Sequence, residues 1–154
     1  MLKQFLFLFF LFLSFDTVSQ NVKKALKLYE KGDSVKVREV LKKMDEKGDN
    51  NPGKHFIYSL IYLNNYSDRE LLDSSFFRIK ESKKNFVDLD EKISLELKEL
   101  NINLLKLDSV EDVIDSLEYL FVIKENTIKS FIQYMADHPK SFYFENAKKK
   151  WHSM

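Results

Sequence analysis

The sequence predicts an all-α fold, and three observations carry the prediction. Gly and Pro are scarce, three and two in 154 residues, and each falls between apolar-periodic segments rather than inside one. Those segments place apolar residues at i, i+3, i+4 and i+7, the spacing of one helical face. Period-two alternation is nowhere sustained, although "FLFLFF" and "SFYF" are strand-like by residue type.

The most apolar stretch, Phe5 to Phe15, follows Lys3 and falls short of the roughly 20 residues that span a bilayer as a helix. A basic start, a short apolar run and then the small-x-small triplet Thr17-Val18-Ser19 form the layout of a secretory signal peptide, with cleavage before Gln20. The expected organisation is therefore a signal peptide over 1–19 and one helical domain over 20–154, secreted or periplasmic within the cell envelope. Left uncleaved, the leader would be the chain's one membrane tether. Cysteine is absent, so no disulfide and no thioether-linked lipid can form, and stability rests on packing. The leader removes one Lys and one Asp, which leaves the net charge at +1. That balance provides no field to attract nucleic acid or anionic lipid.

In order along the chain, Val22, Ala25, Leu26 and Tyr29 share a face, and Gly32-Asp33 closes that segment. Val37, Val40, Leu41 and Met44 repeat the pattern before Gly48, giving a first helical hairpin. Pro52 suits a first turn, and "HFIYSLIYL" is apolar nearly all round, as a central helix would be. Ser67 or Asp68 can cap its partner, which carries Leu71, Leu72, Ser75, Phe76 and Ile79. Asp88 is the expected cap of a longer helix through Leu89, Ile93, Leu97, Leu100 and Leu104. Ser109-Val110-Glu111-Asp112 has capping-box spacing for the next, with Val113, Ile114, Leu117 and Phe121 on one side. Asn126 and Thr127 open a helix whose face is Ile128, Phe131, Ile132 and Met135, and Pro139 stops it. Ser141 is the expected cap of the last helix, with Phe144, Ala147 and Trp151 inward.

Eight helices in four hairpins give roughly 34 residues per pair, the length of common two-helix repeats. The sets Ser34-Val37-Leu41-Met44, Leu72-Ser75-Ile79-Ser82, Val110-Val113-Leu117-Leu120 and Phe144-Ala147-Trp151-Met154 overlay at one spacing. This resembles the tetratricopeptide repeat, with "LYEKGDSVKVREVLKKM" and "HPKSFYFENAKKKW" as its most similar stretches. Val37 and Val113 stand where that family usually has alanine, and no unit holds the full signature. The resemblance implies four hairpins stacked as a right-handed α-solenoid that binds a protein or peptide in its concave face; an irregular helical bundle is the alternative.

Motifs for familiar catalysis, HExxH, GxSxG, GxxxxGK or a cysteine nucleophile, are missing from the chain. No catalytic, metal-binding or cofactor-binding residue is therefore expected. His55, His138 and His152 fall in separate segments, and His138 before Pro139 reads as a residue at a helix C-terminus. Asp108, Glu111, Asp112, Asp115 and Glu118 read as a solvated helix face. Tyr58, Tyr62 and Tyr66 recur every four residues, and amphipathic rings at this spacing can grip a peptide. With Trp151 they are the candidate interaction surface. The expected function is an exported, non-catalytic interaction module. A bundle that binds an apolar small molecule or lipid, and a subunit of a larger repeat system, are the alternatives.

Overall fold

Side chains at the helix ends set where each element starts and stops. The computed structural model describes residues 17–87 and 89–154, with side chains from Asn21 onward. Among the described residues there are eight helices and no strand: α1 (Thr17–Glu30), α2 (Ser34–Glu46), α3 (Pro52–Asn64), α4 (Arg69–Asn85), α5 (Glu91–Glu99), α6 (Leu104–Glu125), α7 (Ile128–Asp137) and α8 (Phe144–His152). Helix α1 is described from Thr17 onward, so the triplet expected to precede cleavage lies within it. Its described buried side chains are Val22, Ala25 and Leu26.

Gly32 closes α1 in the left-handed conformation (φ 74°), which glycine adopts without a Cβ penalty. Asp33 N–H then donates to the Leu28 carbonyl at 3.0 Å, and the Asp33 carboxylate accepts from Lys36 N to cap α2. Asn51 caps α3 ahead of Pro52, and Asp68, rather than Ser67, caps α4 through Leu71 N.

The middle of the chain differs from the expected boundaries. Asp88 lies outside the described residues; Asp90 caps α5, which is short and ends at Glu99. Asn101 adopts a left-handed φ of 53°, Ile102 N–H bonds back to Leu97 O at 2.8 Å, and Asn103 caps α6. Leu104 thus belongs to α6, and Ser109 lies inside that helix, its hydroxyl bonded to Leu105 O. Two asparagines accomplish this: one tolerates the left-handed turn, the other accepts at the cap. Asn126 likewise closes α6 with φ 48°, and Thr127 with Ser130 forms the capping box of α7.

Helices α1–α2, α3–α4 and α7–α8 pack as pairs, α5 lies against α1, and α6 lies against α4. The main core gathers Phe56 and Ile57 of α3, Val37, Leu41 and Met44 of α2, Ile79, Leu97, Leu107 and Ile114. As expected, α3 is central: it packs on α1, α2, α4 and α6. Its approach to α4 is close because serines line the seam. Ser75 Oγ donates to Ser59 O at 2.9 Å, Ser82 Oγ donates to Pro52 O at 2.8 Å, and all three serines are fully buried. Gly53 permits the other approach: a Cβ there would stand 2.6 Å from Val22 Cγ1 and 2.9 Å from Leu97 Cδ2.

A second, smaller core contains Val122, Phe131, Tyr134 and Ala147, with Tyr119, Tyr143 and Trp151 against it. Here the expected faces are turned. Val113 is 49% exposed and Leu120 62%, so the third repeat set faces inward only in part, through Val110; Leu107, Asp115, Glu118, Val122 and, as expected, Ile114 are the buried residues of this helix. In α7, Phe131 and Tyr134 are buried and Ile128 and Ile132 are exposed. No helix among the described residues is long and apolar enough to cross a membrane.

Candidate functional site

Two polar constellations stand out, one on each core. On the outer side of α3 and α4, Tyr58 and Tyr62 are half-buried, and their rings stack with centroids 6.3 Å apart. The Arg78 guanidinium lies over Tyr58, 4.6 Å from the ring centroid, and 5.8 Å from the ring of Phe77. Cation–π contact of this kind contributes about 0.5–2 kcal/mol, more as water is removed. Arg78 Nη1 donates to His55 Nδ1 at 3.3 Å. Burial, reinforced by the charges of Lys54 and Arg78, pushes the His55 imidazole down to about 4, which keeps it neutral and able to accept that bond at neutral pH.

Beneath the platform a buried lysine ties α3 to the end of α2. Lys54 Nζ pairs with Asp45 at 2.8 Å and donates to the Asp49 carbonyl, while Tyr58 Oη donates to Asp45 Oδ2 at 2.6 Å. Burial and then that carboxylate raise the Tyr58 phenol well above its ordinary range, so it stays a neutral donor. The ladder Tyr62–Tyr58–Arg78–Phe77 therefore has a fixed inner edge and an open outer one, with Phe77 58% exposed.

Tyr66 stands in the turn after α3 and is 40% exposed. Trp151 is half-buried against the second core, whereas Tyr58 packs against the first. The structure thus joins Tyr58 and Tyr62 in one surface and sets Trp151 with a different cluster. Arg78 and Phe77 complete the ladder, and sequence reading missed both. The signal available was an arginine beside a phenylalanine outside the apolar period of α4.

The second constellation is the junction of α6, α7 and α8. Glu111, Asp115 and Glu118 sit at i, i+4 and i+7, which puts them on one face of α6, and that face is turned inward. His138 Nε2 donates to Glu118 Oε2 at 2.5 Å and Nδ1 lies 3.1 Å from Asp115 Oδ1 in an ion pair, with the imidazole and both carboxylates buried. Tyr134 Oη and Ser141 Oγ also donate to Asp115, at 2.6 and 2.7 Å. Burial alone would depress His138, but the two carboxylates outweigh it and raise the imidazole to about 9. Asp115 is held below the ordinary range against its own burial by His138, Tyr134 and Ser141. Ser141 was expected to cap α8; its hydroxyl serves Asp115 instead, and α8 starts without a side-chain cap.

Serine, histidine and aspartate meet here, yet the wiring is unlike that of a hydrolytic triad. In a triad the histidine accepts the serine proton; here Ser141 donates to the carboxylate, and both imidazole nitrogens face carboxylate oxygens. The His138 imidazole, raised to about 9 between two carboxylates, ties α6 to the turn between α7 and α8. A cleft of about 390 Å³ opens over it, walled by Phe76, Lys80, Lys83, Asp108 and Glu111. Lys83 is taken by Asp108 and Glu111, each at 2.6 Å, and Lys80 by Glu111 at 3.0 Å. Among the described residues no group of three or more His, Asp or Glu is placed to hold a metal ion. Compared with known proteins, the chain matches no protein-family model, no curated protein and no solved structure.

Proposed function

We propose that this chain is an exported, non-catalytic helical module that binds a protein or peptide on the α3–α4 face. The observation that carries the reading is the Tyr62–Tyr58–Arg78–Phe77 ladder. Tyrosine and arginine are the side chains that most often dominate protein interfaces, because they bring large contact area at low entropic cost. The rigid support beneath the ladder, from Lys54, Asp45 and the buried serines, lowers the ordering cost of binding. The cavities of 390 and 490 Å³ are lined chiefly by charged and polar side chains, which favours this reading over an apolar-ligand bundle. Export rests on the Phe5–Phe15 run and the small residues after it.

The test is capture from the envelope fraction of the producing cell, by the wild-type chain and by a Tyr62→Ala/Phe77→Ala double variant. A protein retained by the first and lost from the second, with both variants melting alike, is the expected result. Equal recovery by the two would remove the face from consideration, and N-terminal sequencing of the exported chain that begins at Met1 would remove the leader.

A further inference from the structure

Arg78 is held without a contacting counter-ion, Asp45 acting on it only through space, and the cations around it are paired directly. Among the described residues Arg69 pairs with Asp73 and Glu125, Lys54 with Asp45, Lys80 and Lys83 with Glu111, and Lys84 with Glu81. Arg78 makes no ion pair within 4.0 Å among the described residues: its recorded partners are a neutral imidazole and two aromatic rings. Two acids whose charges reach the same cluster are already used, Asp45 by Lys54 and Tyr58, Glu81 by Lys84 at 3.7 Å. A half-buried guanidinium against aromatic faces has lost part of its hydration and keeps most of its five donors unfilled. The group that completes it is a planar anion able to take two parallel N–H bonds.

We infer that Arg78 anchors the carboxylate of an Asp or Glu side chain of a peptide partner, with Phe77 and Tyr62 covering apolar side chains on either side of it. This rests on the interaction reading above and names the chemistry of the partner. A carboxylate fits better than a phosphate because the ladder offers one uncommitted cation; a dianion would need a second, and Lys54 is buried in its own pair with Asp45. The flat aromatic surroundings exclude water from one side of the ion pair, which strengthens it.

Calorimetric titration of the full chain with an acetylated, amidated hexapeptide of alternating Leu and Glu, with the same peptide carrying Gln for Glu, and with inorganic phosphate tests this. The Glu peptide binds, and the Gln peptide binds at least about tenfold more weakly, as expected when a charge-assisted bond is lost. Arg78→Ala brings the Glu peptide down to the Gln level. Arg78→Lys, which keeps the charge and removes the fork, falls between and guards against a folding defect. Equal binding of the two peptides, no binding of the Glu peptide, or its displacement by phosphate at matching concentration would each overturn the inference. If Tyr62→Ala weakens both peptides alike while Arg78→Ala changes neither, the interaction face stands and the carboxylate anchor falls.

Discussion

The imidazole of His138 is more basic in the fold, at about 9, than its ordinary value of roughly 6.5. Its stabilising contribution is fully present below about pH 6.5 and is lost as pH rises through 9. His138→Gln leaves Asp115 and Glu118 buried without their cation, which costs about 3–5 kcal/mol. Melting curves from pH 6 to 10 are expected to show the largest gap between wild type and variant at pH 6, narrowing towards pH 10; a constant gap would refute the ionic account. Glu96 presents the opposite case. The residue is 6% exposed, neither carboxyl oxygen has a well-formed hydrogen bond among the described residues, and burial outweighs the pull of nearby Asn51 and the Lys23 backbone and raises the carboxyl to about 7. Ionisation in the fold is therefore unfavourable, and stability declines as pH rises from about 4.5 through 7. Glu96→Gln is expected to melt several degrees higher than wild type at pH 8 and within about a degree of it at pH 4; a lower melting point at pH 8 would contradict this.

Helix seams respond to volume more than to charge. Gly53→Ala drives a methyl into Val22 and Leu97 at 2.6 and 2.9 Å, an overpacking cost of about 1–3 kcal/mol, measurable by urea unfolding. Leu120→Lys on the outer face of α6 is expected to shift stability by less than about 0.5 kcal/mol, since that side chain is 62% exposed; a larger loss would mean that this face is covered. The same seams show what could be read before the structure. Helix existence and the inner faces of α1 to α4 were legible, because there the apolar period and the buried face coincide: Val37, Leu41, Met44, Leu72 and Ile79 are all fully buried. In α6 the two diverge. That helix is apolar on most sides, so periodicity alone leaves its rotation undetermined, and it settles by turning Glu111, Asp115 and Glu118 toward partners supplied by α4 and by the α7–α8 turn. Those partners are 20 or more residues distant in sequence, and no local pattern announces them. The neighbourhood of Tyr58 and Tyr62 was legible from their spacing, whereas no local pattern announces that Arg78 lies over the Tyr58 ring.

Across the whole chain the apolar interior is divided unequally. The larger core draws on α1 through α6, while the smaller one ties α7 and α8 to the end of α6. The charged knot at His138 is a principal fastening between the two regions, as Asp115 and Glu118 belong to α6 and His138 and Ser141 to the connection between α7 and α8. Opening of a subregion requires only the free energy of the contacts it breaks. Amide hydrogens of α7 and α8 should therefore exchange with solvent deuterons sooner than those of α3 and α4, and raising the pH from 7 to 9.5 should widen the difference after correction for intrinsic rates. Uniform protection along the chain would show a single cooperative unit. A protease added under mildly alkaline conditions would accordingly make its first cut in the stretch between Pro139 and Tyr143, and release a trimmed body that still carries the tyrosine–arginine ladder.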